Sequence, residues 1–162
     1  MRTAPDPSTY DERLWPGPLG WFLVLGFGVL MTISVWPVRP AAALVTGGLA
    51  VVGGVVAAVL SSPRVRVADG ELRAAAAHID VAWLGAGTAL DRDGVRRAMG
   101  PGSDARAFVV LRSWLPGAVS VEVTDPGDPT PTWLISSRHP DRLLAAVRAA
   151  QQAQAAHSEQ IG

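Results

Sequence analysis

Two stretches near the start of the chain break the ordinary alternation of apolar and polar positions. Leu14 to Val38 passes 25 residues without a charged side chain and Pro40 to Pro63 passes 24, with Arg39 alone between them. Each run is longer than the ~18 residues that mark a membrane-span candidate. Pro16 or Pro18 fits a first helical turn, Pro37 stops the first helix and Pro40 starts the second. The predicted spans cover about 17–37 and 40–62, roughly 28–31 Å of helix at ~1.5 Å per residue, which matches a hydrocarbon layer of ~30 Å. Trp15 and Trp36 bracket the first run, where amphipathic rings favour the two water interfaces. The competing reading of the first run, a secretory signal peptide, fits poorly: the apolar part is too long, no small-residue cleavage site closes it, and a second span follows at once.

Beyond Pro63 the pattern changes to period two. Arg64-Val65-Arg66-Val67 alternates, Asp69-Gly70 signals a hairpin, and Glu71-Leu72-Arg73 resumes the alternation, so a strand pair starts directly after the second span. A third strand is predicted over Ile79 to Leu90, broken near Gly85 and Gly87, where glycine suggests a bulge. Asp91 then caps a short helix through Met99, which Gly100 ends. Ala107 to Leu111 is an apolar run, and Trp114 to Gly117 turns the chain. Val119, Val121 and Val123 alternate with Ser120, Glu122 and Thr124 as a half-buried strand. After a connection over Asp125 to Pro131, Thr132 to Ser136 forms the next strand, with Trp133 and Ile135 on one face and Leu134 on the other. Pro140 opens a helix capped at His139, whose apolar stripe is Leu143, Leu144, Val147 and Ala150. Past Ala150 the Gln/Ala-rich chain is predicted to fray.

These elements predict an N-terminal segment over 1–13, a transmembrane helical hairpin over 14–63, a small α+β domain over 64–150 and a flexible tail over 151–162. The domain is expected to be an antiparallel β-barrel or roll closed by its C-terminal helix. Its order of elements looks like the bacterial pleckstrin-homology-like domain, an analogy of fold that implies no function.

Composition fits a membrane protein, since 49% hydrophobic residues and a mean hydropathy of +0.25 exceed what an ordinary soluble domain carries. Charge sets the orientation. The chain has no lysine; Arg13 precedes the first span, Arg64, Arg66 and Arg73 follow the second, and only Arg39 lies in the turn. The positive-inside rule therefore predicts a multi-pass protein of the cytoplasmic membrane with both termini in the cytoplasm. The absence of cysteine agrees with a reducing compartment. From Arg64 onward 11 arginines balance 11 acids, which argues against nucleic acid as a partner and against a polybasic grip on anionic lipid.

The segments YDERLW (Tyr10 to Trp15), VRVADGELR (Val65 to Arg73), GPGSDARAFVVLRSW (Gly100 to Trp114) and GAVSVEVTDPGDPTPTWLISSRHPDRLLAAV (Gly117 to Val147) together resemble the actinobacterial family catalogued as domain of unknown function 3093. The resemblance covers nearly the whole chain. It implies a two-span membrane protein with a small cytoplasmic domain and carries no assigned activity.

Candidate chemistry is sparse. His78, His139 and His157 are far apart and no cysteine accompanies them, so neither a zinc nor an iron site is expected. Gly85-Ala86-Gly87 begins like a dinucleotide fingerprint, but Thr88-Ala89-Leu90 supplies no third glycine, and no cofactor is expected. The richest polar set is Asp104, Arg106, Arg112, Asp125, Asp128 and Arg138. Gathered beside Trp114 and Trp133, these groups would hold a carboxylate, a phosphate or a peptide terminus. The plainer reading gives Asp125 and Asp128 to Asx-turns, pairs Asp104 with Arg106 or Arg112, and buries both tryptophans.

In the second span Gly47, Ala50, Gly54 and Ala58, with Ala43 earlier, form a small-residue stripe that lets helices approach closely. Its expected partner is Gly20, Gly28 and Thr32 of the same chain; another subunit, including a second copy, is the alternative. The leading expectation is a non-enzymatic membrane protein whose domain binds a protein partner or a lipid headgroup. A structural subunit associating through its spans is the alternative, and a membrane-proximal enzyme using Asp125 or Asp128 comes third.

Overall fold

The computed structural model describes residues 9–101 and 103–161, so the reading of residues 1–8 as part of an N-terminal segment lies outside the described residues. The described residues form two compact units, Trp15–Pro63 and the rest of them.

The first unit is a helical hairpin. Helix α1 spans Pro18–Val35 and helix α2 spans Pro40–Leu60, each with proline in its first turn, where the missing N–H has no intrahelical acceptor to lose. Both are long and apolar enough to cross a membrane, with mean hydropathies of 1.9 and 2.3. The first helix ends at Val35, slightly before the expected stop at Pro37, and the chain turns through Trp36 to Arg39. The helices close on Gly28 and Gly47. A Cβ at Gly47 would collide with Thr32 Oγ1, one at Gly28 with the Val51 side chain, and one at Gly54 would lie 2.8 Å from Val24 Cγ1. Ala43 is fully covered, Ala50 and Ala58 are half-buried, and Gly20 faces Pro16, just before its own helix. Gly47 and Gly54 of the stripe therefore serve the packing of α2 on α1.

The second unit holds two four-stranded sheets around one core. The first sheet has the order β1 (Tyr10–Arg13), β2 (Arg64–Ala68), β3 (Glu71–Ala74), β4 (Ala77–Asp80), antiparallel throughout. Period-two patterning turns Val65, Val67, Leu72 and Ala74 inward and Arg64, Arg66 and Arg73 outward. The β2–β3 turn takes positive φ at both central residues, Asp69 (56°) and Gly70 (76°), as a two-residue hairpin requires.

The second sheet has the order β5 (Leu84–Asp91), β7 (Gly117–Val123), β8 (Thr132–Ser137), β6 (Phe108–Val110). Strand β6 runs parallel to β8, a departure from the expected all-antiparallel sheet. The cause is connectivity: β6 precedes β7, and β8 returns antiparallel to β7, leaving β6 at the outer edge in the same direction as β8. The predicted strand over Ile79 to Leu90 is two strands, because Asp80 accepts a hydrogen bond from Ala82 N and starts a 3-10 turn at Val81–Trp83. The Gly85-Ala86-Gly87 stretch lies where the β5 register shifts between Leu84 and Gly87, a bulge and no nucleotide loop. Asp91 caps helix α3 (Arg92–Ala98) by accepting from Gly94 N at 2.7 Å, as its position predicts.

Helix α4 spans Pro140–Ile161 and lays Leu143, Leu144, Ala146, Val147 and Ala150 on the core. The chain past Ala150 is helix and not a frayed tail. Gln151 Nε2 donates to Val81 O and Leu84 O, and Gln154 Nε2 donates to Asp80, so polar side chains anchor the turns that the apolar stripe does not reach.

Candidate functional site

The second unit carries a concavity where α3, the β6–β7 connection and the end of β8 meet. The cleft has a volume of about 710 Å³. Arg92 and Arg96 reach it from successive turns of α3, and Arg112 enters from the loop after β6. Val95, Leu111 and Leu115 supply apolar wall, and Ser113 and Ser136 supply hydroxyls. Trp114 is 42% exposed at this cleft, with the Arg112 guanidinium 5.7 Å from its ring centroid. That contact is a cation–π pair, which holds a flexible cation over a flat apolar face. Ser136, only 2% exposed, accepts from Arg112 N at 2.9 Å and so ties the loop to β8. Arg96 also pairs with Asp93 one turn back on α3.

The other predicted site residues go elsewhere. Arg106 pairs with Asp104 in the exposed loop before β6, at 2.9 Å between Nη2 and Oδ2; the hydrogen bonds from Arg106 lower the Asp104 pKa, and Asp104 in turn raises that of Arg106. Asp125 accepts from Gly127 N and Asp128 from Thr130 N, both at 2.8 Å, so each closes an Asx-turn in the β7–β8 connection. That connection is at the opposite end of β8 from Ser136, roughly 13 Å away along four strand residues. Trp133 is core, its ring 4.6 Å from that of Phe108. The structure thus brings Arg112 and Trp114 together with two arginines that sequence reasoning missed. The signal for them was the DRDGVRR run, Asp91 to Arg97, whose charges the helix turns partly toward the loop.

Arg138 belongs to a second polar cluster, centred on Glu12. Glu12 Oε2 accepts from Tyr10 Oη at 2.6 Å and from Ser137 Oγ at 2.7 Å, while Oε1 accepts from Arg138 N at 3.0 Å and Arg138 Nη1 at 3.3 Å. Arg138 Nη1 also donates to Arg13 O at 3.1 Å. Only 9% of the Glu12 side chain is exposed. Burial alone would raise its carboxyl, but the donors from Tyr10, Ser137 and Arg138 outweigh burial and hold it below the ordinary carboxylate range. Tyr10 shifts upward, first through burial and then through its bond to Glu12, so the phenol keeps its proton. The cluster fastens β1 to the start of α4; with every acceptor engaged, it is built to hold.

Among the described residues no group of three potential ligands could hold a metal ion. The family described as Protein of unknown function (DUF3093) matches residues 9–147, from the residue before β1 into the second turn of α4. The chain belongs to DUF3093. The match takes in β1, both apolar helices and both sheets, so the DUF3093 unit is the hairpin and the sheet domain together. No curated protein and no solved structure matches the chain.

Proposed function

We propose that the protein is a two-span protein of the cytoplasmic membrane, with both termini in the cytoplasm, whose pleckstrin-homology-like head is a binding module and not an enzyme. The observation that carries this reading is the β1–β2 ladder. The strand before α1 and the strand after α2 are neighbours in one sheet, so both ends of the hairpin are tied to one folded unit, and that unit lies on one side of a bilayer. In the most apolar window of each helix only 6% and 11% of residues are buried, whereas a soluble core helix would be mostly covered. A cleaved signal sequence is disfavoured by the same ladder, because cleavage after α1 would remove β1 and with it Glu12. Arg13, Arg64, Arg66 and Arg73 against Arg39 alone favour the cytoplasmic side.

The head's two sheets, single core and closing C-terminal helix support the pleckstrin-homology-like assignment, with the parallel β6–β8 pair as its departure. Binding at the arginine cleft is favoured over catalysis because its lining brings arginines, a tryptophan and serines but no carboxylate or histidine to act as base. Association through the α2 stripe finds less support, since Gly47 and Gly54 pack inside the hairpin.

The test uses the full chain in cells, with a photo-crosslinking residue at Ser113 or, as control, at Ala145 on the exposed side of α4. The expected result is a protein that resists alkaline carbonate extraction and forms adducts from position 113 that Trp114→Ala suppresses. Release into the soluble fraction, or equal adducts from 113 and 145, contradicts the proposal.

A further inference from the structure

We infer that a second cavity of the head, between the β2–β3 turn and α4, binds a small zwitterion that carries a primary ammonium and a carboxylate. The cavity has a volume of about 430 Å³ and shares no lining residue with the arginine cleft, so the inference goes beyond the binding reading above.

Two opposite charges line this space without meeting. Arg66 is exposed on the outer face of β2, and Asp69 is exposed on the turn that follows. Among the described residues neither side chain forms an ion pair, with the other or with any third group. Arg66 has an acid, Asp11, as its cross-strand neighbour on β1 and does not pair with it, whereas Arg73 on β3 takes Glu71. Asp69 is carried on a rigid support, since its φ of 56° belongs to a two-residue hairpin. A lone anion bound here would be repelled by Asp69 and a lone cation by Arg66; a zwitterion is attracted by both.

Gln154 adds an acceptor beside Asp69. Its side chain lines the cavity, and its Nε2 donates to Asp80. A carboxylate only accepts, so this contact fixes which end of the amide is nitrogen. The other end, Oε1, is buried and has no hydrogen-bond partner. It lies 3.8 Å from the position that a Cβ on Gly70 would take, next to Asp69 in the turn. A buried acceptor in that state calls for a donor, and an ammonium has three N–H groups to divide between Oε1 and the Asp69 carboxylate. The Thr9 hydroxyl, on the same lining, gives the ligand carboxylate a donor besides Arg66. The remaining wall is Ala68, Ala150 and Ala153, whose methyl groups leave room for a small apolar side chain. The volume falls at the small end of the range for ligand pockets.

The experiment takes the full-length protein in an uncharged maltoside detergent and measures calorimetric titrations with L-alanyl-L-alanine, its N-acetyl derivative and its C-terminal amide. The free dipeptide is expected to bind at least about tenfold more tightly than either singly charged derivative. Asn tolerates the left-handed turn, so Asp69→Asn should keep the melting temperature and bind the free and N-acetyl peptides equally. Arg66→Gln, at an exposed strand position, should bind the free peptide and its amide equally. Arg73→Gln, on the same face of the sheet but outside the cavity, should bind as the wild type does. No binding of the dipeptide, equal affinity for the three probes, wild-type discrimination by Asp69→Asn and Arg66→Gln, or an equal loss in Arg73→Gln overturns the inference. A parallel titration with L-alanine distinguishes the source: tighter binding than the dipeptide assigns a free amino acid, and weaker binding assigns a short peptide.

Discussion

Arg13 and Arg64 are Cα partners at the end of the β1–β2 ladder, although the entire helical hairpin lies between them in sequence. The sheet closes over an insertion, and two like charges stand opposite each other at its root. Such a pair is mildly unfavourable in a water-exposed ladder, by roughly 0.2–1 kcal/mol.

Because the partners are already adjacent, the head is expected to fold without the hairpin. Replacing Trp15 to Ser62 with Asn-Gly leaves a four-residue connection, Leu14-Asn-Gly-Pro63, between Arg13 and Arg64, a length common in β-hairpins. The expected product is soluble without detergent, monomeric by size exclusion, and unfolds cooperatively on heating. Aggregation or a non-cooperative melt would show that β1 and β2 need the helices to pair.

Glu12 makes the head acid-sensitive. Its pKa is lower folded than unfolded, so its contribution is fully present above the unfolded value of ~4.3 and is lost as pH falls through the lower, folded one. In the excised head, Glu12→Gln should lower stability by about 2 kcal/mol at pH 7, through lost hydrogen bonds to a charged acceptor, and flatten the acid limb of the stability profile. Tyr10→Phe should cost about 1 kcal/mol, leaving the Ser137 and Arg138 bonds in place. Denaturant titrations from pH 3 to 7 measure both.

Adjacent glycines in α2 should differ sharply. A Cβ at Gly47 runs into Thr32 and the Gly28 carbonyl, whereas one at Gly48 meets nothing within 4 Å. Gly47→Leu is expected to destabilise the hairpin by about 1–3 kcal/mol, the usual range for overpacking, and Gly48→Leu to leave it unchanged. Thermal stability of the full chain in detergent distinguishes them.

The β7–β8 connection gives the opposite expectation for function. Asp125 and Asp128 close Asx-turns about one strand length from the cleft. Asp125→Asn and Asp128→Asn keep a side-chain acceptor for those turns and should leave both stability and the adducts formed from position 113 unchanged. Loss of those adducts in either variant would move the site to that end of the sheet.

The parts of the fold legible in the sequence were those fixed by local chemistry. Proline and arginine bounded the helices, Asp69-Gly70 set a hairpin, Asp91 capped α3, and Val119 to Val123 alternated. The illegible parts depended on partners remote in sequence. Tyr10 to Arg13 reads as an isolated polar segment until β2 pairs with it across the hairpin, and Glu12 gains meaning only when Ser137 and Arg138 arrive. The length of α4 escaped because the groups that hold its far turns, Gln151 and Gln154, bond backward to Val81, Leu84 and Asp80. The site was half visible: Arg112 and Trp114 stand two residues apart, but Arg92 and Arg96 join them only through the placement of α3 against the β6–β7 loop.

The chain contains no cysteine, so single introduced thiols report topology without background. Thr9, Val38 and Glu159 are all exposed, and they lie before β1, between the two helices and near the end of α4. With a membrane-impermeant maleimide on intact cells, Val38→Cys is expected to react at once, and Thr9→Cys and Glu159→Cys only after the membrane is permeabilised. Labelling of Thr9→Cys and Glu159→Cys from opposite sides, or of all three in intact cells, would contradict a hairpin rooted at both ends in one cytoplasmic sheet.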